Sequence, residues 1–172
     1  MKDLEDLQEF ITKDGSFSLH SKFYNENFHS SLGAFSEAKN KFICPSNLSR
    51  FKGKSLSVLD ICFGLGYNSA FLFNDLLKQS SRLNWYALEL DKRPLMHSIK
   101  NENFRSLWEP KVNQIFDSLL FNSSFEDNSF SCKLLWGDAR NQISKIPINI
   151  NFDLVFLDGF SPQKCPEIWS VE

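Results

Sequence analysis

A chain of 172 residues suits one globular domain. Hydrophobic residues make up 42% and aromatic residues 15%, with 18 phenylalanines, so the chain can bury a sizeable core and is not a disordered segment. A formal net charge of −2 excludes the footprint of a strongly basic nucleic-acid binder.

Cys44, Cys62, Cys132 and Cys165 show neither metal-ligand nor redox spacing and read as reduced thiols of a cytoplasmic protein. The first residues, MKDLEDLQEF, are acidic and amphipathic rather than a signal peptide. No apolar run is long enough to cross a bilayer, so no membrane partner is expected.

In chain order, Met1 to Ile11 reads as a short opening helix with Leu4, Leu7, Phe10 and Ile11 on one side. Asp14-Gly15 is a turn signal, and the alternation of Ser16 to His20 predicts a strand and a hairpin. Phe23-Tyr24 reads as a strand and Asn25 to Asn27 as a turn; Leu32 to Phe35 lead into a helix through Glu37, Ala38 and Phe42. Residues 1–50 thus form a β-rich cap with a polar connector from Pro45 to Lys54, and residues 51–172 a second unit.

That second unit opens with a buried strand at Leu56 to Ile61, broken by Phe63-Gly64-Leu65-Gly66 and followed by a helical pattern from Ser69 to Leu77. Strand, glycine turn and helix form the nucleotide-facing corner of an open α/β sheet. The third glycine of a dinucleotide fingerprint is missing, because Tyr67-Asn68-Ser69 follow. Further strands are predicted at Trp85 to Asp91, Lys133 to Trp136 and Phe152 to Leu157. A helix is expected from Lys92 to Trp108, a polar loop around Asn122 to Asn128, and a short helix from Asp138 to Ile146. The order β-α-β-α-β-α-β predicts an α/β fold with a parallel sheet and right-handed crossovers. Such a sheet normally has two or three further strands, so the fold reads as cut short after the fourth parallel strand.

In open parallel sheets ligands bind at the carboxyl ends of the strands. Here those ends carry Asp60, Glu89 with Asp91, Asp138 and Asp158. A carboxylate at Glu89 or Asp91 is placed to accept both hydroxyls of a ribose, and Asp138 an adenine amino group. Each acid alone is equally a solvated loop residue; the set is the signal.

The turn at Gly64 and Gly66 resembles motif I of the Rossmann-like S-adenosylmethionine (SAM) methyltransferases. The stretch Asp158-Gly159-Phe160-Ser161-Pro162-Gln163-Lys164-Cys165-Pro166-Glu167-Ile168-Trp169, with DGSFSL, FHSSLGAFSEA, FGLGYN and LDKRPL, resembles the methyltransferase domain of the MnmC-type tRNA-modifying enzymes, from Asp14 to Trp169. That resemblance implies a Rossmann-like class I SAM methyltransferase. It would N-methylate the aminomethyl group of 5-aminomethyl(-2-thio)uridine at the tRNA wobble position, with SAM as methyl donor and no metal. Some members carry an FAD-dependent oxidoreductase domain acting upstream; nothing in this sequence resembles it. The resemblance further implies cofactor contacts at Asp60, Gly64, Gly66, Asn68, Glu89 or Asp91, Asp138 and Asp158. It implies catalytic roles for Asp158 and Phe160, and substrate contacts at His29, Ser30, Glu37, Pro162 and Trp169.

Two other readings compete. Polyamine synthases share the sheet, a β-rich cap and a ribose acid, and use decarboxylated SAM for aminopropyl transfer; Phe160, Ser161, Gln163 and Lys164 stand where they usually place further acids. The other is a truncated, non-catalytic SAM-binding fragment. Lys39, Lys41, Arg50, Lys52 and Lys54 are the candidates for contact with tRNA phosphate.

Overall fold

The hairpin signalled by Asp14-Gly15 is present, but its first strand comes from residues that read as a helix. In the computed structural model, which describes residues 6–170, β1 (Leu7–Ile11) pairs antiparallel with β2 (Phe17–Ser21), and β2 pairs with β3 (Glu26–Asn27). Met1 to Glu5 lie outside the described residues. The apolar spacing of Leu7, Phe10 and Ile11 fits helix or strand over so short a run. Pairing with β2, whose Phe17, Ser18 and Leu19 are all buried, decides it. Phe23 and Tyr24 fall in the turn, and the strand follows at Glu26–Asn27, the reverse of the sequence expectation.

The helix expected after Gly33 runs as α1 (Ala34–Glu37), a π-helical turn (Ala38–Ile43) and α2 (Cys44–Ser46). Pro45 sits at the start of α2 rather than opening a loop. A 3-10 turn (Leu48–Phe51) then leads to the main sheet.

Strand β4 (Ser55–Ile61) is that sheet's interior. It is followed by α3 (Tyr67–Gln79), β5 (Arg82–Glu89), α4 (Lys92–Lys100), α5 (Glu102–Arg105) and α6 (Pro110–Asn122). The single helix predicted over Lys92 to Trp108 is broken at Asn101, which is extended and caps α5 by accepting from the Phe104 N–H at 3.0 Å. The remaining elements are β6 (Ser124–Glu126), β7 (Phe130–Trp136), α7 (Ala139–Gln142), a 3-10 turn (Ile143–Lys145), β8 (Leu154–Leu157) and a 3-10 turn (Pro166–Ile168).

The strand order is β6-β7-β5-β4-β8, with β7, β5, β4 and β8 parallel and β6 antiparallel at one edge. Strand β6 lies where the sequence reads as a polar loop, because Phe125 alone carries an apolar signal there. The chain lays β4, β5 and β7 outward in one direction, then returns to place β8 on the other side of β4. Such a reversal opens a crevice at the carboxyl ends of β4 and β8.

The two sheet faces are unequally covered. On one, Leu72, Phe73 and Leu76 of α3, Leu95 of α4 and Ile115, Phe116 and Leu119 of α6 pack on Val58, Trp85 and Phe130. On the other, buried Leu59, Tyr86 and Leu88 are met by partly buried Ile61, Leu135, Ile146, Ile150 and Phe152. The cap joins the first layer: the Tyr67 hydroxyl donates to the Phe17 carbonyl at 2.8 Å, and Phe17 and Leu19 belong to the same core.

Candidate active site

Backbone hydrogen bonds stitch the carboxyl ends of the strands into one rim. The Asp158 N–H donates to the Ile61 carbonyl at 3.2 Å, Gly137 N–H to Glu89 at 2.8 Å and Cys62 N–H to Leu88 at 3.0 Å. Above this rim lies a cleft of about 1100 Å³ between the main sheet and the cap. Gly64, Glu89, Asp91, Asp138, Asp158 and Phe160 line it from the sheet side, and Tyr24, Glu26, Phe28, His29, Ser30 and Glu37 from the cap side.

The glycine turn is wound by left-handed residues at alternate positions: Cys62 at φ 66°, Gly64 at 58° and Gly66 at 87°. Gly64 faces the cleft, and a Cβ there would make only ordinary contacts, the nearest at 3.6 Å from Phe28. Its N–H donates to Glu89 Oε2 at 2.7 Å, while Glu89 Oε1 accepts from the Asp91 N–H at 2.8 Å. Glu89 is therefore a buried carboxylate fixed from both sides, and burial raises its pKa.

Asp91 is differently employed. It caps α4 by accepting from the Arg93 N–H at 2.9 Å, and its carboxylate takes the Arg93 guanidinium, which reaches on to Asp6 at 2.6 Å. Asp138 likewise caps α7 and accepts from the Arg140 guanidinium at 2.5 Å, which lowers its pKa.

Asp158 accepts from Asn68 Nδ2 at 2.9 Å, so the first turn of α3 positions the carboxylate that ends β8. Burial pushes Asp158 up to about 6, Glu37 adds to the rise, and Asn68 and Lys41 oppose it. Glu37 binds the Lys41 ammonium and accepts from the Ser30 N–H at 2.6 Å. His29 is packed edge-on against Tyr67 at 5.2 Å, with Nδ1 at 3.0 Å from the Ser18 hydroxyl. Burial drops it to about 4, so it is neutral at pH 7.

Five predicted residues stand outside the cleft lining. Asp60 is buried under the rim, accepting from Ser69 Oγ at 2.6 Å, and Ser69 Oγ in turn accepts from Trp85 Nε1 at 2.9 Å. Gly66 is a packing glycine, since a Cβ there would meet Phe116 and Phe63 at 2.6 Å. Asn68 acts on the cleft through Asp158. Trp169 Nε1 donates to the Phe160 carbonyl at 2.7 Å, holding the turn from behind, and Pro162 lies within that turn. Tyr24 and Glu26 enter the site without a signal specific enough to single them out in the sequence, and only their placement around Phe160 and Ser161 shows them; Lys41, read from the sequence as a phosphate contact, instead pairs with Glu37 at the cleft wall. Among the described residues no group of three or more His, Cys, Asp or Glu is arranged to hold a metal ion.

A family model described as S-adenosyl-L-methionine-dependent methyltransferase matches residues 102–172. The crystal structure of MnmC2 from Aquifex aeolicus superposes with a TM-score of 0.80 at 31% identity, over 98% of this chain and 55% of that one. The chain resembles an MnmC-type methyltransferase throughout. Among curated relatives, the tRNA 5-methylaminomethyl-2-thiouridine biosynthesis bifunctional protein MnmC of Leptospira borgpetersenii is 24% identical over 85% of this chain and 24% of its own length. The MnmC of an Azoarcus species is 28% identical over 88% of this chain and 25% of its own. An uncharacterized protein, MJ0670 of Methanocaldococcus jannaschii, is 28% identical over 100% of this chain and 47% of its own. The chain thus spans between a quarter and a half of these relatives. The family-model match and the superposition on MnmC2 thus make SAM-dependent methyltransferases what this chain is similar to, in its C-terminal part by family model and along nearly its whole length by fold.

Proposed function

We propose that this chain N-methylates the exocyclic primary amine of 5-aminomethyl(-2-thio)uridine at the tRNA wobble position, with residues 1–50 as the cap and 51–172 as the SAM-binding unit. The observation that carries the reading is the cleft itself, where Glu89, Asp138 and Asp158 meet under a cap segment. SAM fits this donor set: it needs acceptors for two ribose hydroxyls and an adenine amine, and it supplies an electrophilic methyl on a sulfonium. Glu89 suits the ribose better than Asp91, because its buried carboxylate sits at the glycine turn itself, held there by the backbone N–H groups of Gly64 and Asp91. Asp138 would take the adenine amine. Asp60 supports from below rather than touching the ligand.

Attack on a sulfonium methyl needs a neutral amine lone pair in line with the breaking S–CH3 bond, whose electron pair would stay on the departing thioether, so an alkylammonium must first lose a proton to solvent. With a pKa near 6, Asp158 is an acceptor at neutral pH and basic enough to take a hydrogen bond from the amine and orient it. Glu37 and Lys41 set the charge beside it, and His29 and Ser30 shape the cap wall. Phe160 walls the site against water. The exposed Lys39, Lys41, Arg50, Lys52 and Lys54 are the candidates for phosphate contact. An FAD-dependent oxidoreductase acting upstream would release the primary amine.

The test is transfer of labelled methyl from SAM to tRNA carrying 5-aminomethyluridine, with one methyl found on the wobble nucleoside. A chain that binds SAM yet leaves such tRNA unmethylated, or that transfers an aminopropyl group from decarboxylated SAM, overturns the reading. Asp158→Asn is expected to cut the rate about 100-fold or more while SAM affinity holds within about threefold. The wild-type rate should fall as pH drops through about 6, where Asp158 gains its proton.

A further inference from the structure

One segment of the cap grips the turn that bears Asp158. Tyr24 in the turn, Glu26 in β3 and Phe28 just after it all reach the same turn of the sheet unit. Tyr24 stacks on the Phe160 ring at 4.5 Å and 28°, and Phe28 meets it edge-to-face at 4.9 Å. Between them Glu26 accepts from the Ser161 N–H at 3.0 Å and from the Ser161 hydroxyl at 2.7 Å. A bidentate carboxylate fixes both distance and orientation of what it holds. These contacts bridge 135 residues of chain and lie in the wall of the cleft. Asp158 is three residues from Ser161, with Gly159 between Asp158 and Phe160. Within the sheet unit, the turn is held by Ile61 and Asn68 at Asp158, by Trp169 at the Phe160 carbonyl, and by the Lys164 and Cys165 N–H groups at the Ser161 carbonyl, but among the described residues nothing there takes the Ser161 N–H and hydroxyl that Glu26 holds.

We propose that Glu26 is a positioning residue, a carboxylate clasp that locks the Phe160-Ser161 turn to the cap and so aims Asp158 at the reacting amine. The clasp does not touch substrate. It rests on the methyl-transfer reading above, and it acts on orientation, so its loss should appear in kcat rather than in KM or SAM affinity.

The experiment compares wild type with Glu26→Ala, Glu26→Gln and Ser161→Ala, each first checked for unchanged far-UV circular dichroism. Hydrogen exchange at the Ser161 amide should quicken at least tenfold in Glu26→Ala and much less in Glu26→Gln, whose amide oxygen still accepts that N–H. The Asp158 carboxyl, followed by carbon-13 NMR titration, should titrate at lower pH in Glu26→Ala as the loosened turn admits water. With aminomethyluridine tRNA, Glu26→Ala should lower kcat about tenfold with KM within twofold. Glu26→Gln should restore most of the rate, and adding Ser161→Ala to Glu26→Ala should cost little more. Unchanged exchange at Ser161, or quickened exchange with unchanged kcat, overturns the proposal. If wild type methylates no tRNA, the functional reading fails instead. The clasp is then judged by exchange and by the Asp158 titration alone, and an unmoved titration overturns it.

Discussion

Asp60 and Asp158 end neighbouring strands, yet the structure gives them different work. Asp158 reaches the cleft; Asp60 is buried, with Oδ2 bonded to Ser69 and Oδ1 without a hydrogen-bond partner. Burial pushes Asp60 up to about 7, and Asp158 and Glu89 add to the rise while Ser69 opposes it. A carboxyl whose folded pKa exceeds its unfolded value of about 4 favours the folded state most at low pH. Its contribution shrinks as pH rises from about 4 through about 7. Asp60→Asn, which cannot ionise, should therefore raise Tm relative to wild type at pH 8 and keep only a minor part of that advantage at pH 5. Calorimetry at the two values checks this, and an advantage of equal size at both would contradict it. Sequence position alone cannot separate the two acids, because strand-end carboxylates read alike until the depth of each side chain is known.

At the scale of elements, the glycine turn was legible because strand, break and helix follow the physics of an open α/β sheet. The division of labour between its glycines was not. Gly64 borders the cleft, whereas Gly66 combines φ 87° with a Cβ position overlapping the rings of Phe116 and Phe63. Gly66→Ala should cost about 2–4 kcal/mol in urea denaturation, summing a left-handed alanine with an overpacked core. Gly64→Ala should cost only the backbone part, about 1–2 kcal/mol. The antiparallel β6 and the opening β1 escaped the sequence for one reason: both are short, and pairing with a partner strand, not their own residue pattern, decides their conformation. The clasp at Glu26 was hidden for the same reason, since a lone glutamate in a turn-rich stretch carries no local pattern.

For the whole molecule, the uneven sheet faces predict uneven tolerance. Phe73 is fully buried among the rings of Trp85, Phe116 and Phe130. Phe152 is partly buried and meets Tyr86 at 6.2 Å on the thinner face. Phe73→Ala should cost about 3–5 kcal/mol. Phe152→Ala should cost less than half as much, measured by the same denaturation. On the thin side, edge strand β8 leaves Val155 56% exposed.

The cap owes its shape to a knot of polar contacts. Asp14 accepts from Thr12 at 2.7 Å, from the Ser16 hydroxyl at 2.5 Å and from the Ser36 hydroxyl at 2.7 Å, which holds its pKa well below the carboxylate range although burial alone would raise it. Any Cβ at Gly33 would collide with that same carboxylate. Two stretches some twenty positions apart are thus a lock and its key cut together. Transplanting the hairpin loop into a cousin without its glycine-bearing counterpart should fail, and moving both as one cassette should succeed.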